Sequence, residues 1–243
     1  MLLLIDIGNT STKIGLYENG FKRVLNFKTS DDTISFNGLT RNHIIEGAVI
    51  CSVVPSMTSI LINLIKREYK INPLIVNHKI KSGLRYKIRR PENIGPDRIA
   101  IAVGARMLYK GDLIVVSFGT ATTLSLINRD NEYLGGAIMP GLQISADALA
   151  ERTALLPRVK LRRHERIIGR DTEEAILTGI ITGHAGGVER IIKEMKRESG
   201  LNPRVIATGG LADIVVPYIR GIKDVNPLLC LEGLRFLYGL NVK

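Results

Sequence analysis

The chain has 243 residues, of which 45% are hydrophobic and 23% are charged, so it can bury one large core or two smaller ones. No run of about 18 uncharged apolar residues occurs, and the apolar start lacks the basic segment and the cleavage site of a signal peptide, so we expect neither a membrane span nor a leader. Cys51 and Cys230 match no zinc-binding spacing and lie in apolar surroundings, which is typical of buried free thiols in a reducing, cytoplasmic compartment.

The formal net charge is +11, and basic residues gather at 84–90 and 158–166. A solvated surface with a general attraction for anions is the simplest interpretation of this charge. An anionic small substrate and a nucleic acid are the alternatives. Because the chain has no Trp and only five Phe, it offers few aromatic rings for stacking with bases, and nucleic acid is the least favoured partner.

Apolar strand-like runs alternate with segments of helical periodicity along the chain, which predicts an α/β fold. The predicted strands are 2–5, 11–16, 47–53, 73–76, 113–118, 122–127 and 204–207. Helices are expected over 59–70, 98–109 and 171–199. The last of these opens with a capping box, in which Glu174 follows Asp171 by three residues.

One stretch occurs twice in related form, as LLLIDIGNTSTKIGL (2–16) and LIVVSFGTATTLSLI (113–127). Each copy reads as an apolar strand, a glycine turn and a second strand rich in hydroxyls. A shift of 111 residues aligns Asp6 with Ser117, Gly8 with Gly119, Ser11 with Thr122, and Thr12 with Thr123. One such hairpin alone is an ordinary turn, but two copies favour a repeated phosphate-binding hairpin.

Two further glycine patterns stand in the second half. Thr208, Gly209 and Gly210 follow an apolar strand, and such a turn lets the backbone approach a flat or anionic ligand. Glycines also recur at 179, 183 and 187 on one predicted helix, which indicates close packing in the core or at a subunit interface. His184 lies among them, and we expect a packed, hydrogen-bonded histidine rather than a catalytic one.

Two phosphate-type hairpins followed by a Thr-Gly-Gly turn resemble the acetate and sugar kinase, Hsc70 and actin superfamily. Within it, the chain resembles the type III pantothenate kinases over nearly its whole length. The motifs that carry this resemblance, in order, are DIGNTSTKIGLY (6–17), CSVVPSM (51–57), PENIGPDR (91–98), SFGTATT (117–123), GGAIMPGLQIS (135–145), TALLP (153–157), RDTEEAILTG (170–179), TGG (208–210) and LEGL (231–234).

The resemblance implies a fold of two duplicated actin-like (ribonuclease H-like) halves, near 1–110 and 111–243, with a central nucleotide cleft. The last helix is expected to pack against the first half. The implied activity is transfer of the ATP γ-phosphate to the primary alcohol of pantothenate, the first step of coenzyme A biosynthesis. The implied cofactors are Mg²⁺ and a monovalent cation, K⁺ or NH₄⁺, and the implied assembly is a homodimer.

Two other functions stay open at this point. One is a related small-molecule kinase that uses another alcohol acceptor. The other is a regulatory or accessory protein that keeps the family's fold with weak or lost kinase activity. ATP binding without turnover would indicate the regulatory protein, whereas turnover with a different acceptor would indicate the related kinase.

The resemblance also implies roles for individual residues. Asp97 would be the general base that takes the proton of the attacking hydroxyl, and Arg98 would bind anionic oxygens; alternatively, Asp97 only interacts with the helix dipole. Asp6 would hold Mg²⁺, with a turn-capping role as its alternative. The implied nucleotide-binding residues are Asp6, Ile7, Gly8, Asn9, Thr10, Ser11, Thr12, Lys13, Thr120, Gly209 and Gly210. The implied substrate-binding residues are Gly95, Pro96, Asp97, Arg98 and Thr172, where Thr172 could instead serve only as a local cap.

At two positions the chain departs from the family pattern. Ser117 stands where the second phosphate motif normally opens with an Asp that is expected to bind the monovalent cation, and a hydroxyl supplies no charge there. Ile88 stands where the family often has a substrate-contacting Tyr. Tyr86 lies two residues earlier, on the same face of a strand, and could substitute for that Tyr.

Overall fold

The computed structural model describes residues 1–30, Phe36, Thr40 and residues 43–242. The chain divides into two compact units. The first contains Met1–Tyr109 together with Leu228–Lys243, and the second contains Lys110–Pro227. The C-terminal end of the predicted second half, 111–243, therefore belongs to the first unit, as expected for the last helix.

The helices and strands alternate in chain order, as the sequence predicted. Up to residue 109 they are β1 (Leu2–Ile7), β2 (Ser11–Tyr17), β3 (Phe21–Lys28), β4 (Gly47–Ser52), α1 (Pro55–Tyr69), β5 (Leu74–Ile75), β6 (Arg85–Tyr86), a 3₁₀ turn (Pro91–Asn93) and α2 (Pro96–Leu108). Then follow β7 (Leu113–Phe118), β8 (Ala121–Ile127), β9 (Glu132–Pro140), α3 (Leu142–Arg152), α4 (Thr172–Ser199), β10 (Arg204–Thr208), α5 (Ala212–Val215), a 3₁₀ turn (Val216–Tyr218), β11 (Asp224–Val225) and α6 (Leu229–Asn241).

The sheet of the first unit has the strand order β3-β2-β1-β4-β5. Strands β1, β2 and β3 pair antiparallel, and β4 and β5 continue the sheet in parallel with β1. In the second unit the order β9-β8-β7-β10-β11 repeats this plan, with the same antiparallel and parallel pairings. The duplication inferred from one hairpin thus extends over five strands.

The strand pairing corrects the alignment of the two hairpins. Ile7 pairs with Thr12 in the first hairpin, whereas Phe118 pairs with Thr122 in the second, so the second turn is one residue shorter. The shift of 111 residues therefore holds only for the first strand of each hairpin, and Thr12, not Ser11, corresponds to Thr122. The sequence alignment was wrong here because a turn can lose a residue without changing the strands that it joins.

Each face of the first sheet is covered by helices. Along β1, Leu3, Ile5 and Ile7 point into a core shared with α1. By the alternation of side chains along a strand, Leu4 and Asp6 point to the other face, which α6 covers. Asp6, the penultimate residue of β1, therefore lies among side chains that are buried on both faces of the sheet.

Helices α2 and α6 pack very closely on that second face. A Cβ atom at Gly233 of α6 would overlap the carbonyl oxygen of Ala100 in α2, and one at Gly104 of α2 would overlap that of Leu229. Only glycine allows two backbones to approach in this way. The close crossing ties the C-terminal helix to the first unit and places its first turn beside β1 and β4.

In the second unit, β7 and β8 pack on α3 and α4 through a continuous apolar core. One half of the predicted capping box at the start of α4 is present: the Asp171 side chain accepts a hydrogen bond from Glu174 N at 2.8 Å. The Glu174 carboxylate accepts one from Arg170 N, one residue before the cap. Among the described residues, no helix is both long enough and apolar enough to cross a membrane.

Candidate active site

Three side chains meet at the end of β1 in the first unit. Asp6 and Cys51 lie side by side because β1 and β4 pair in parallel with these residues in register. Cys230 comes from the first turn of α6. The Asp6 carboxylate oxygen and the two Sγ atoms all lie within 4.8 Å of one another. Both thiols are free and buried, as the sequence predicted.

The electrostatic environment of Asp6 opposes its ionisation. The pKa of Asp6 is raised from 3.8 to about 6, chiefly by burial and to a smaller extent by the negative charge of Asp97. A hydrogen bond from the Cys230 thiol and the positive charge of Lys13, its partner across the β1–β2 hairpin, lower this pKa in part. At neutral pH the carboxylate is therefore mostly charged but poorly solvated, which favours a bound cation.

Asp97 lies in the first turn of α2, and the structure shows why Gly95 and Pro96 precede it. A Cβ at Gly95 would overlap Oδ1 of Asp97, so the glycine leaves room for the carboxylate. Pro96 occupies the first helical turn, where its missing N–H removes no helical hydrogen bond. Burial raises the pKa of Asp97, while the backbone N–H and the charge of Arg98 lower it.

The first hairpin loop divides into exposed and supporting residues. Asn9, Thr10 and Ser11 are exposed. Ile7 is buried, and the Gly8 carbonyl accepts a hydrogen bond from the Thr29 hydroxyl at 2.6 Å. The Thr12 hydroxyl is also buried and bonds that of Thr29, at 3.1 Å. Thr12 thus supports the loop from beneath, and the exposed loop residues are the ones that a ligand can reach.

The second hairpin has the same plan with different partners. The Thr122 hydroxyl is buried, like that of Thr12, and bonds His184 Nε2 at 2.9 Å. His184 is therefore the packed, hydrogen-bonded histidine that the sequence predicted, and burial lowers its pKa. Thr120 lies in the loop and is only partly buried. Ser117 is the penultimate residue of β7 and pairs with Thr123 and Thr208, so its neighbours in register carry hydroxyls.

The Thr-Gly-Gly turn follows β10 and lies against the second hairpin. Gly209 has a φ of +98°, and a Cβ there would overlap the backbone of Phe118. No other residue fits that position without a backbone shift. At Gly210 a Cβ would meet no atom within 4 Å, so the second glycine leaves open space beside the turn.

Thr172 begins α4 and is exposed. It lines a groove of about 560 Å³ between α3 and α4, whose other walls include Leu149, Leu156 and His184. The cap of α4 is Asp171, so the helix start does not need Thr172 for capping. In the first unit, Tyr86 and Ile88 are both partly buried between exposed basic residues, as expected for one face of an extended segment. The Tyr86 hydroxyl donates to Ser82 Oγ at 3.2 Å.

The residues around Asp6 fit a Mg²⁺ ion, whereas those around Ser117 offer a monovalent cation no charged ligand in register. The carboxylate of Asp6 is a hard oxygen ligand, its charge is poorly solvated, and the charge of Asp97 acts on it. Ser117 offers only a neutral oxygen, and so do Thr123 and Thr208 beside it. The predicted monovalent site therefore lacks a charged ligand among its neighbours in register.

The first unit thus brings Asp6, Lys13, Asp97 and Arg98 into electrostatic contact, either directly or through a neighbour. The predicted residues Ser117, Thr120, Thr172, Gly209 and Gly210 lie in the second unit. The sequence predicts Cys51 and Cys230 only as buried thiols and does not predict their contact with Asp6. The apolar run that ends in Cys51 was a usable signal, because strand pairing sets Cys51 beside Asp6, but nothing local indicates the docking of α6.

The fold is one of duplicated actin-like halves, and comparison with known proteins agrees. Similar structures include a Baf family protein from Campylobacter jejuni assigned as a transcriptional activator, with a TM-score of 0.61, 19% identity and coverage of 98% of this chain and 97% of that one. Another is the activator of 2-hydroxyisocaproyl-CoA dehydratase from Clostridium difficile with bound ADPNP, with a TM-score of 0.55, 12% identity and coverage of 98% and 94%.

Sequence comparison is more specific. The family model of type III pantothenate kinase matches residues 2–194. A type III pantothenate kinase from Geobacillus sp. (strain WCH70) is 40% identical over 254 aligned positions, which cover 100% of this chain and 98% of the relative. The chain belongs to the type III pantothenate kinase family, and it is an ATP-dependent kinase.

Proposed function

We propose that this protein transfers the γ-phosphate of ATP to the primary alcohol of pantothenate, with Asp97 as the general base. The observation that carries the residue assignment is the position of the Asp97 carboxylate, which Gly95 leaves room for and whose charge acts on Asp6. A carboxylate with a raised pKa is suited to accept a proton from an alcohol as that alcohol attacks.

Asp6 is the residue that would hold Mg²⁺. Bound there, Mg²⁺ supplies positive charge that offsets the charge of the phosphates during transfer. The chain's own contribution is to hold the Asp6 carboxylate on a rigid strand, where hydrogen bonding from Cys230 limits its orientation. Arg98 would bind anionic oxygens of the acceptor or of the transferred group.

The two hairpin loops and the Thr-Gly-Gly turn would bind ATP. In the first loop the exposed residues are Asn9, Thr10 and Ser11, whose hydroxyl and backbone N–H groups suit phosphate oxygens. In the second unit, Thr120 and the open space beside Gly210 would contact the nucleotide.

The acceptor would be bound by Gly95, Pro96, Arg98 and Thr172, with Tyr86 or Ile88 as a further contact. The groove lined by Thr172 combines apolar walls with a hydroxyl, which suits a small branched acid.

A homodimer in the cytoplasm is the assembly and location that we propose. Gly179, Gly183 and Gly186 form an exposed stripe along α4, with open space above each. Exposed apolar side chains lie in the same unit, among them Leu155, which is 92% exposed. Such features suit a close helix-to-helix contact between copies, and two free buried thiols suit a reducing compartment.

The test is ADP formation by purified protein with Mg-ATP and pantothenate. We expect turnover that needs pantothenate, and a loss of roughly a hundredfold or more in kcat for Asp97→Asn. Glu18→Gln removes an exposed carboxylate of the same unit and serves as the control that keeps wild-type turnover. Folded protein that binds ATP but phosphorylates neither pantothenate nor another alcohol would contradict the proposal, and so would an Asp97→Asn variant with full activity.

The same assay tests the monovalent cation. Because Ser117 brings no charge, we expect wild-type turnover to respond weakly to K⁺ or NH₄⁺, and Ser117→Asp to respond strongly. Strong activation of the wild type would show that other groups hold the cation.

A further inference from the structure

The Asp6, Cys51 and Cys230 side chains form a cluster whose two thiols have no role in the proposed kinase reaction. The chain has only two cysteines, and tertiary structure brings both to the same carboxylate although they are 179 positions apart in sequence. The Cys230 thiol lies within hydrogen-bonding reach of both Cys51 and Asp6. Each ligand comes from a different element: β1, β4 and the first turn of α6.

Two sulfurs and one carboxylate oxygen make a soft ligand set that differs from the oxygen sites preferred by Mg²⁺. In a tetrahedral zinc site, Zn–S bonds of about 2.3 Å place two sulfurs about 3.8 Å apart. The three ligand atoms here lie within 4.8 Å of one another, so side-chain movements of about 1 Å would close them around one ion.

The repeated half of the molecule provides an internal comparison. Ser117 and Thr208 pair in β7 and β10 as Asp6 and Cys51 pair in β1 and β4. Hydroxyls at both positions give no soft ligand. The thiol–carboxylate cluster is therefore a feature of the first unit and does not follow from the duplicated strand plan.

We propose that Asp6, Cys51 and Cys230 form a site for one thiophilic divalent cation, such as Zn²⁺ or Cd²⁺. The ion bonds to both sulfurs and to the carboxylate, the two thiol protons pass to solvent, and water fills the fourth position. Asp6 is partly exposed whereas both cysteines are buried, so the ion reaches the sulfurs past the carboxylate.

The consequence for activity rests on the proposed function. If Asp6 holds Mg²⁺ during phosphoryl transfer, a soft ion bound to the same carboxylate blocks the reaction. The site would then make the kinase sensitive to excess zinc or cadmium.

The experiment is a titration of the reduced, full-length protein with Cd²⁺, followed by ultraviolet charge-transfer absorption, which reports Cd²⁺–thiolate bonds and not bonds to carboxylate or imidazole. Because the chain has only Cys51 and Cys230, any such band reports these residues. We expect one Cd²⁺ per chain. Cys51→Ala and Cys230→Ala should each weaken binding roughly tenfold or more, and Asp6→Asn should weaken it while keeping a band. Glu18→Gln is the control and should bind as the wild type does.

The proposal is wrong if the wild-type protein shows no charge-transfer band or binds one Cd²⁺ per two chains. This result is independent of the variants, so it holds even if a variant folds poorly. Turnover measured in parallel separates the two claims. Zn²⁺ should inhibit the wild type at roughly tenfold lower concentration than it inhibits Cys51→Ala, each compared with its own basal rate. A protein without kinase activity that still shows the band refutes the proposed function and keeps the metal site.

Discussion

Two individual residues of the first unit, Asp6 and Asp97, carry carboxylates at positions where burial disfavours the charged form. Burial raises the pKa of both Asp6 and Asp97, and the charge of Asp97 adds to the shift at Asp6. Residues in such settings occur often at functional sites, where stability is given up for chemistry. The small residue Gly95 belongs to the same arrangement, because it leaves room for the Asp97 carboxylate.

Replacing Asp6 should make the fold more stable at neutral pH. The folded protein binds the Asp6 proton more tightly than the unfolded chain does. Ionisation of Asp6 therefore lowers the free energy of unfolding as pH rises from about 4 to about 6, and this loss stays constant at higher pH. We expect Asp6→Asn to raise the free energy of unfolding by about 1–3 kcal/mol at pH 7.5 without Mg²⁺, and to change it little at pH 4.

Denaturant unfolding at the two pH values measures this effect. Asp97, Lys13 and the Cys230 thiol also face Asp6 and remain in both proteins, so the difference between wild type and variant isolates Asp6. A variant that is less stable at pH 7.5 would mean that hydrogen bonding by Asp6 outweighs its desolvation.

Gly95→Ala should separate activity from stability. The backbone of Gly95, at φ −59°, is accessible to alanine, so only the overlap with Asp97 Oδ1 opposes the change. A carboxylate at the end of a side chain can rotate away at small cost. We therefore expect a melting temperature close to that of the wild type and a fall in kcat of roughly tenfold or more, as for other displaced catalytic groups. Wild-type kcat would show that the carboxylate's position tolerates this shift.

At the scale of elements, the crossing of α2 and α6 is the contact that builds the first unit's site. Asp97 lies in the first turn of α2 and Cys230 in the first turn of α6. Close backbone contact at Gly104 and Gly233 holds the two helices together. The crossing also explains why the last helix belongs to the first unit although the second unit precedes it in the chain.

Gly233→Ala should weaken this crossing strongly. The added Cβ would overlap the backbone oxygen of Ala100, which cannot move without shifting the helix. We expect a loss of about 1–3 kcal/mol in the free energy of unfolding. Gly239→Ala is the matched control: it lies on the same helix with no atom within 4 Å of the new Cβ, and it should be neutral or stabilising by up to about 1 kcal/mol. Equal stability for the two variants would contradict the close crossing.

At the scale of the whole molecule, the same five-strand plan occurs twice, and each copy carries different chemistry. The first copy has Asp6 at the end of its central strand, and the second has Ser117. Even the irregularity is repeated, because the register shifts between Leu16 and Tyr17 in the first copy and between Leu126 and Ile127 in the second. Duplication thus preserved the backbone while single residues diverged in function.

The proposed homodimer predicts the mass of the particle in solution. Light scattering should find twice the chain mass of 26.8 kDa in solution. Gly183→Arg places a long charged side chain on the exposed small-residue stripe of α4 and should give monomers, whereas Lys193→Ala, at an exposed position of the same helix, should leave the dimer intact. A monomeric wild type, or a dimeric Gly183→Arg, would show that α4 does not mediate assembly.

Much of the local structure was predictable because it depends on neighbours in sequence. The strand that ends in Asp6, the glycine turn after it and the cap at Asp171 all follow from side-chain alternation, turn chemistry and hydrogen bonding over a few residues. The predicted strands do not include β3 and β9. In β3 most side chains are at least partly exposed, so it lacks the apolar run that marks a buried strand.

The fold class, the repeat and the family can be derived from the sequence alone, since these depend on ordered local motifs and their residue types. Three features became visible only in the folded structure: which Thr of the two hairpins correspond, the close glycine crossing of α2 and α6, and the contact of two distant thiols with Asp6. These features depend on strand register and on helix docking. Turn length sets the register within a hairpin without changing the pattern of the strands that it joins. Helix docking depends on contacts between residues far apart in the chain, and those contacts leave no periodic or local signal in the sequence.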